Sequence, residues 1–390
     1  MEGAGEERGG KRARSGGARW ASDGAPGGYF AAYSAPGIHA DMLADRVRLE
    51  AYFAALNAGT VEGKVVLDVG TGTGVLACMA AKAGAAKVVA VDGSAAAAAA
   101  AEAMVADNGL GHIVTVVCSP VEELELEEAS VDVIVSEWMG YALIYESMLP
   151  SVVFARDAFL KPGGLVLPSR ALLYAVPFTS HTGMVEELDS ASATAAVPEL
   201  ALLDAWDAQQ RFGLRWRALR PFFASGSGGL PDAATAARLT VDELEPELVA
   251  AEPGLVLDLD LSTVAATELV AGAATLSDLV FSTRATMGTP LAGICLYFDT
   301  VFEAADVVLT TSPLSPPTHW AQTLLHLPAS APRQLDLDSH VSGRISLLPD
   351  FAPGQERNLA IHLELDEHGE PGPRYAFLLD AVEVRAARAP

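Results

Sequence analysis

The sequence predicts an α/β unit, with a parallel sheet covered by helices, followed by a unit of antiparallel strands forming a sandwich or barrel. Three observations lead there. Up to about residue 165, short apolar runs alternate with helical stretches, the pattern of a parallel sheet. The first of these runs opens into a cluster of three glycines and then a helix. Beyond residue 165, strand-like stretches follow one another across Gly/Pro/Asp/Ser-rich connections without long helices between them.

Residues 1–27 are rich in Gly, Ala and Arg, carry no hydrophobic period and read as a disordered tail. This is also the only basic stretch: Arg8, Lys11, Arg12, Arg14 and Arg19 stand against Glu2, Glu6 and Glu7. Lys11-Arg12-Ala13-Arg14 is a short basic run of the nuclear-localisation kind, although a solvated tail explains it as well. The α/β unit is expected over 28–168. Residues 29–56 place Ile38, Met42, Leu43, Val47, Tyr52, Phe53 and Leu56 at three- and four-residue steps, which predicts helix. A buried strand at 65–69 runs into the glycines and a helix over 75–83, and a second strand at 87–91 ends at Asp92. The alanine run 95–101 extends a helix, because Ala is the strongest helix former. Strands at 113–118 and 131–136 continue the alternation. In the second unit, 169–390, strands are expected at 255–261, 278–283, 292–302, 341–348, 358–365 and 375–384, with an amphipathic helical insertion at 199–223.

Composition excludes several functions. Of the 390 residues 51% are apolar, enough for a substantial core. The net charge of −25 argues against coating nucleic acid, which needs cations to neutralise phosphates, and favours a basic partner. The tail is basic, so the folded body is more acidic than the whole chain. Cys78, Cys118 and Cys295 are far apart and form no CxxC, which argues against disulfides and a cysteine zinc site. No apolar run is long enough to span a membrane, and no secretory leader is visible. These points together lead us to expect a soluble intracellular protein.

Gly70-Thr71-Gly72-Thr73-Gly74 between a strand and a helix, with Asp92 closing the next strand, is a nucleotide-binding arrangement. The glycines admit a ligand to the backbone, and the carboxylate suits ribose hydroxyls. The spacing departs from the dinucleotide G-x-G-x-x-G, and Asp68 precedes the first glycine by two. This loop resembles motif I of S-adenosylmethionine-dependent methyltransferases more than a nicotinamide site. Glu122 is a candidate for the adenine amino group; alone it would be one solvated charge in the acidic run 122–128.

The strand at 131–136 runs into Glu137-Trp138-Met139-Gly140-Tyr141, and Tyr145-Glu146-Ser147-Met148 follows. Glu137 and Glu146 thus leave the carboxyl end of a buried strand, where open α/β sheets bind ligands. Two carboxylates among apolar groups repel unless a cation lies between them. Without His or Cys beside them, a metal fits poorly. A guanidinium fits well, being planar, always charged and forked.

On these residues the chain resembles the protein arginine methyltransferases from about Tyr29 to the C-terminal unit. Tyr29-Phe30-Ala31-Ala32-Tyr33 is similar to the family's YFxxY motif, Glu137 to Glu146 to its double-E loop and Thr318-His319-Trp320 to its THW loop. Ala44-Asp45-Arg46-Val47-Arg48 and Val341-Ser342-Gly343 are similar to one type I branch. The resemblance implies a Rossmann-like methyltransferase domain followed by an antiparallel β-barrel with a helical dimerisation arm, and a head-to-tail homodimer. Asp92 departs from the family's usual glutamate, and residues 212–217 depart from its usual arm sequence.

The resemblance implies S-adenosyl-L-methionine as methyl donor, with S-adenosyl-L-homocysteine as product. His39, Met42 and Arg48 would join Asp68, Gly70, Gly72, Asp92 and Glu122 around it, Arg48 pairing with its carboxylate. Glu137, Glu146, His319 and Asp45 would be catalytic; Tyr29, Tyr33, Met148 and Trp320 would meet the substrate. The proton acceptor stays open between Glu146 and the His319–Asp45 pair. Met42 and Met148 near the acceptor imply asymmetric dimethylation of arginine in basic proteins such as histones, and a nuclear location, with or without a cytoplasmic pool. Neither a metal, direct nucleic-acid binding nor a membrane is implied. A scaffold that docks basic tails without catalysis is the alternative of a different class.

Overall fold

The computed structural model describes residues 42–146, 148–179, 238–269, 276–328, 333–350, 358–367 and 370–379. The expected tail, Tyr29, Tyr33, His39, the arm at 199–223 and the segment 212–217 lie outside the described residues.

The first unit is the expected parallel sheet with helices. Helix α1 (Arg46–Ala55) precedes β1 (Val65–Val69), α2 (Val75–Lys82), β2 (Lys87–Asp92), α3 (Ala95–Asp107), β3 (Val114–Cys118) and β4 (Val131–Val135); α4 (Leu149–Phe159) leads into β5 (Leu160–Leu167). All pairings are parallel, in the order β3-β2-β1-β4-β5. The order reverses between β1 and β4, so a crevice for a ligand opens at their carboxyl ends. Val66, Leu67, Val133, Ile134 and Val135 have no exposed surface, as strands covered on both faces require.

The helix ends follow local chemistry. Asp45 caps α1, its Oδ1 accepting from Arg48 N at 2.9 Å. The alanine run lies in α3 between the Ser94 cap and Gly109, which takes φ +67° just past the helix end. Gly74 at φ +79° starts α2; a methyl group there would stand 2.9 Å from Cα of Ala101, so the third glycine lets α2 and α3 pack closely. Around α1 the apolar period does not track burial throughout: Tyr52 and the following Leu56 are buried, but Phe53 and Leu43, before the helix, are exposed.

The second unit is antiparallel. Its strands are β6 (Arg170–Phe178), β7 (Arg238–Asp242), β8 (Gly254–Asp260), β9 (Leu279–Arg284), β10 (Thr289–Leu291), β11 (Gly293–Phe302), β12 (Val307–Thr310), β13 (Gln322–His326), β14 (Arg333–Leu335), β15 (His340–Asp350), β16 (Asn358–Glu367) and β17 (Glu370–Leu379). They pair as β7-β13-β11-β6-β8 with β12 on β11, as β17-β16-β15-β9, and as β10-β14. Phe281, Phe298, Ile345, Ile361 and Leu363 fill the core between the sheets. Strand β17 begins five residues before the expected 375. The Leu/Asp alternation of β8 places Leu257 and Leu259 inside and Asp258 and Asp260 outside, but breaks at Val256, opposite a register shift between Leu173 and Tyr174.

The two units meet through side chains of α4 and α1. Arg156 Nη1 on α4 donates to the Leu261 carbonyl at 2.7 Å, and the Tyr52 ring meets Phe302 edge-on at 5.0 Å. The loop between β12 and β13 is tied to the segment after β4, Trp320 Nε1 donating to the Met139 carbonyl.

Candidate active site

The glycine loop leaves β1 with Gly70 at φ +72° and Gly72 at φ +55°, conformations that exclude most side chains. A methyl group on Gly70 would lie 2.2 Å from the Met148 thioether methyl, so Met148 rests directly on the loop. Asp92, at the end of β2, accepts from Gly72 N and from Ser94 N, each at 2.8 Å. It therefore braces the loop from the end of β2.

Asp68 lies in β1, two residues before Gly70. It is fully buried and accepts from Thr71 Oγ1 at 2.6 Å. Burial pushes its carboxyl up to about 7; the Thr71 bond opposes this and the Asp92 charge adds to it. Glu122 stands beyond β3 and is held by Ser151 Oγ of α4 at 2.6 Å, so α4 sets the side chain expected at the adenine.

At the end of β4 the chain is tied on several sides. Ser136 Oγ donates to the Val69 carbonyl at 2.8 Å, Ser136 N to the Leu167 carbonyl at 3.1 Å, and Tyr52 Oη to the Ser136 carbonyl at 2.9 Å. Glu137 follows. Its Oε2 accepts from Arg48 Nη1 at 3.0 Å, and both side chains are nearly buried, at 7% and 4% exposure. Arg48 Nη2 donates to the Met42 carbonyl at 2.7 Å, so Met42 contributes its backbone here. The buried Nε of Arg48 has no protein partner.

Beyond Glu137 the loop folds on itself. Gly140 N donates to the Leu143 carbonyl at 3.0 Å, and Ala142, Leu143 and Glu146 take φ of 48°, 71° and 73°. Left-handed backbone at three non-glycine residues within five positions marks a tightly determined loop. Glu146 is half-buried. Gly140 is required here, because a methyl group on it would stand 1.9 Å from the Tyr145 carbonyl oxygen.

The loop after β12 closes the site. His319 N and Nδ1 lie 2.9 and 2.7 Å from Asp45 Oδ2. Burial tends to raise the Asp45 carboxyl, but the bonds from His319 and the Arg48 N–H outweigh it, and its pKa is lowered. Trp320, expected at the substrate, is buried and donates from Nε1 to the Met139 carbonyl at 2.9 Å, so it grips the glutamate loop. Its ring meets His319 at 3.9 Å and Phe298 at 5.3 Å.

The structure thus brings Asp45, Arg48, Glu137, His319 and Trp320 together at one end of the crevice, and Gly70, Gly72, Asp92 and Met148 at the carboxyl ends of β1 and β2. Sequence reasoning passed over Tyr52, Ser136, Gly140 and Ser151. Tyr52 had one visible signal, seven residues after Asp45 and four after Arg48 on one helix face. Ser136 and Ser151 hold partners distant in sequence, and Gly140 matters through a loop conformation that no local pattern announced. Among the described residues no three His, Cys, Asp or Glu side chains gather as a metal site.

The donors fit an amino-acid nucleoside. The unpartnered Arg48 N–H asks for an anion such as a ligand carboxylate, the left-handed glycines admit a ribose, and Asp92 and Glu122 present acceptors.

Comparison with known proteins agrees with this chemistry. Residues 66–164 match a methyltransferase domain and residues 199–370 an arginine methyltransferase oligomerization subdomain. The chain is 38% identical over 336 residues to protein arginine N-methyltransferase 6 of Xenopus laevis, covering 85% of this chain and 89% of that protein. The homologous enzyme of Danio rerio is 38% identical over 326 residues, covering 82% and 84%. Among solved structures, a Trypanosoma brucei PRMT1 enzyme–prozyme heterotetrameric complex with AdoHcy superposes with TM-score 0.69 and 32% identity, over 89% of this chain and 99% of that one. Arabidopsis thaliana protein arginine methyltransferase 10 superposes with TM-score 0.69 and 32% identity, over 90% and 100%.

Proposed function

Because the chain belongs to the protein arginine N-methyltransferase family and uses S-adenosylmethionine, we propose that Glu137 and Glu146 hold the substrate guanidinium while its free nitrogen is methylated. The buried Glu137, at the switch point beside the glycine loop and already paired with one guanidinium, that of Arg48, is the observation that carries this reading. S-adenosylmethionine supplies an electrophilic methyl group on a sulfonium. Arg48 would meet its carboxylate through Nε, Asp92 its ribose and Glu122 its adenine.

A guanidinium is a weak nucleophile, because its lone pairs are delocalised. Glu137 and Glu146 draw the positive charge to the nitrogens they bond and leave electron density on the third. They also hold that nitrogen at the near-attack distance of about 3–3.5 Å, where positioning contributes strongly to rate. Transfer would break the sulfur–methyl bond, leave S-adenosylhomocysteine as a neutral thioether, and require the methylated nitrogen to give up one proton. His319 is arranged to take it: Asp45 beside Nδ1 selects the tautomer with hydrogen there and leaves the Nε2 lone pair available.

We further propose a type I product, asymmetric dimethylarginine, with histone tails among the substrates. The acidic body and net charge of −25 support steering of basic tails to the site. A homodimer is proposed through residues 199–223, with the exposed Leu43, just before α1, and Phe53 on α1 as apolar surface for a partner's arm. Nuclear residence follows from the basic run at residues 11–14 and the proposed substrates.

The test is methyl transfer to histone H3 and H4 peptides with mass spectrometry of the product. Glu137→Gln and Glu146→Gln should keep binding S-adenosylhomocysteine and lose turnover by about 100-fold or more. Parental turnover in either variant would overturn the reading, and symmetric dimethylarginine would overturn the product type.

A further inference from the structure

We infer that Tyr52 is a positioning residue for Glu137, and that α1 sets both the backbone and the side chain of that glutamate. This rests on Glu137 binding the substrate guanidinium.

Asp45, Arg48 and Tyr52 stand at steps of three and four residues, so they share one face of α1. Asp45 at its cap holds His319. Arg48 holds the Glu137 carboxylate. Tyr52 donates to the Ser136 carbonyl, and that carbonyl belongs to the peptide whose nitrogen is Glu137 N. Orienting this peptide plane sets the direction in which Glu137 leaves β4. One rigid helix therefore fixes the residue at its main chain and at its carboxylate.

The phenol is held firmly enough for this task. Tyr52 has no exposed surface, and its ring is wedged edge-on against Phe302 at 5.0 Å. Burial, and after it the charge of Glu137, pushes its ionisation well above the ordinary tyrosine range, so it remains a donor at any working pH. Packing alone does not call for the hydroxyl: a phenylalanine would fill nearly the same volume against Phe302. What the hydroxyl adds is one hydrogen bond to the peptide in front of Glu137, together with a 3.9 Å approach to the Met139 sulfur in the same loop.

The test is Tyr52→Phe in the full chain, with Glu137→Asp as the second site. Turnover of an arginine peptide is normalised to S-adenosylhomocysteine sites counted by calorimetry, so a misfolded fraction does not enter the rate. Tyr52→Phe should lower kcat per site about tenfold while the affinity for S-adenosylhomocysteine stays within about twofold. Added to Glu137→Asp, whose carboxylate is already displaced, it should lower kcat less than about twofold further, because the two act through one group. Unchanged kcat per site in Tyr52→Phe overturns the inference. So does a second full tenfold loss in the Glu137→Asp background, or a matching loss of cofactor affinity. Parental turnover in Glu137→Asp alone instead overturns the role given to Glu137.

Discussion

A single methyl group at Gly140 should stop catalysis without emptying the cofactor site. The added carbon would stand 1.9 Å from the Tyr145 carbonyl oxygen, 2.7 Å from the carbonyl carbon and 3.2 Å from Cα. Close carbon–oxygen contacts lie at about 3.3–3.6 Å, so the Tyr145 peptide must retreat by more than about 1 Å. That peptide carries Glu146. The loop has little slack to absorb the change, because Gly140 N is bonded to the Leu143 carbonyl and Ala142, Leu143 and Glu146 are already left-handed. A displacement of about 1 Å at a positioning group lowers rates by about 100-fold. Gly140→Ala should therefore lose about that factor in kcat on an arginine peptide, measured by transfer of labelled methyl. Overpacking of this size lowers stability by about 1–3 kcal/mol. Calorimetric binding of S-adenosylhomocysteine should stay within a few-fold, because the glycine loop follows β1, on a different strand. A variant with kcat within threefold of the parent would refute the steric argument and the placement of Glu146 that depends on it.

Asp45→Ala removes the cap of α1 and leaves two His319 N–H groups without their acceptor, so it should destabilise by about 2–4 kcal/mol. Thermal melts should show a fall of roughly 5–15 °C at pH 7. The Asp45 pKa is lowered on folding, so its contribution is present above the unfolded value of about 4 and is lost as pH falls below it; the gap to Asp45→Asn should shrink by pH 3. Asp68 behaves oppositely. Its folded pKa is raised to about 7, so its contribution is full below about 4 and is lost as pH rises through 7. Asp68→Asn, neutral at every pH, should melt near the parent at pH 4 and above it at pH 8; an equal loss at both pH values would sink the buried-carboxyl account.

Much of the parallel unit was legible because strands buried on both faces must be largely apolar, and 65–69, 87–91 and 131–136 are Val-rich runs with only Asp68, Lys87, Asp132 and Ser136 interrupting them. Strand β5 was hidden, since Lys161-Pro162-Gly163-Gly164 interrupts the run and only pairing with β4 makes it a strand. In the second unit β6, an apolar run, has no local feature separating it from a helix, and β10, β12, β13 and β14 are too short to show a period. Their identity comes from neighbouring strands distant in sequence.

The site divides along the same line. By itself the sequence determined the chemical inventory: a glycine loop after the first strand, two glutamates after a buried strand, a cationic Arg48 and a distant histidine. Spacing along one element was enough for the loop and the glutamates, whereas Arg48 and His319 stood out only through the family resemblance. Only the tertiary structure decided which atoms were already taken. Arg48 and Glu137 are 89 residues apart, and Asp45 and His319 are 274 apart. Asp68 is buried against Thr71, and Trp320 grips Met139. The physical reason is that a hydrogen bond is a condition on distance and angle, near 2.7–3.2 Å, between groups that different elements carry. Periodicity within an element sets a side chain's face, whereas packing between elements sets its partner.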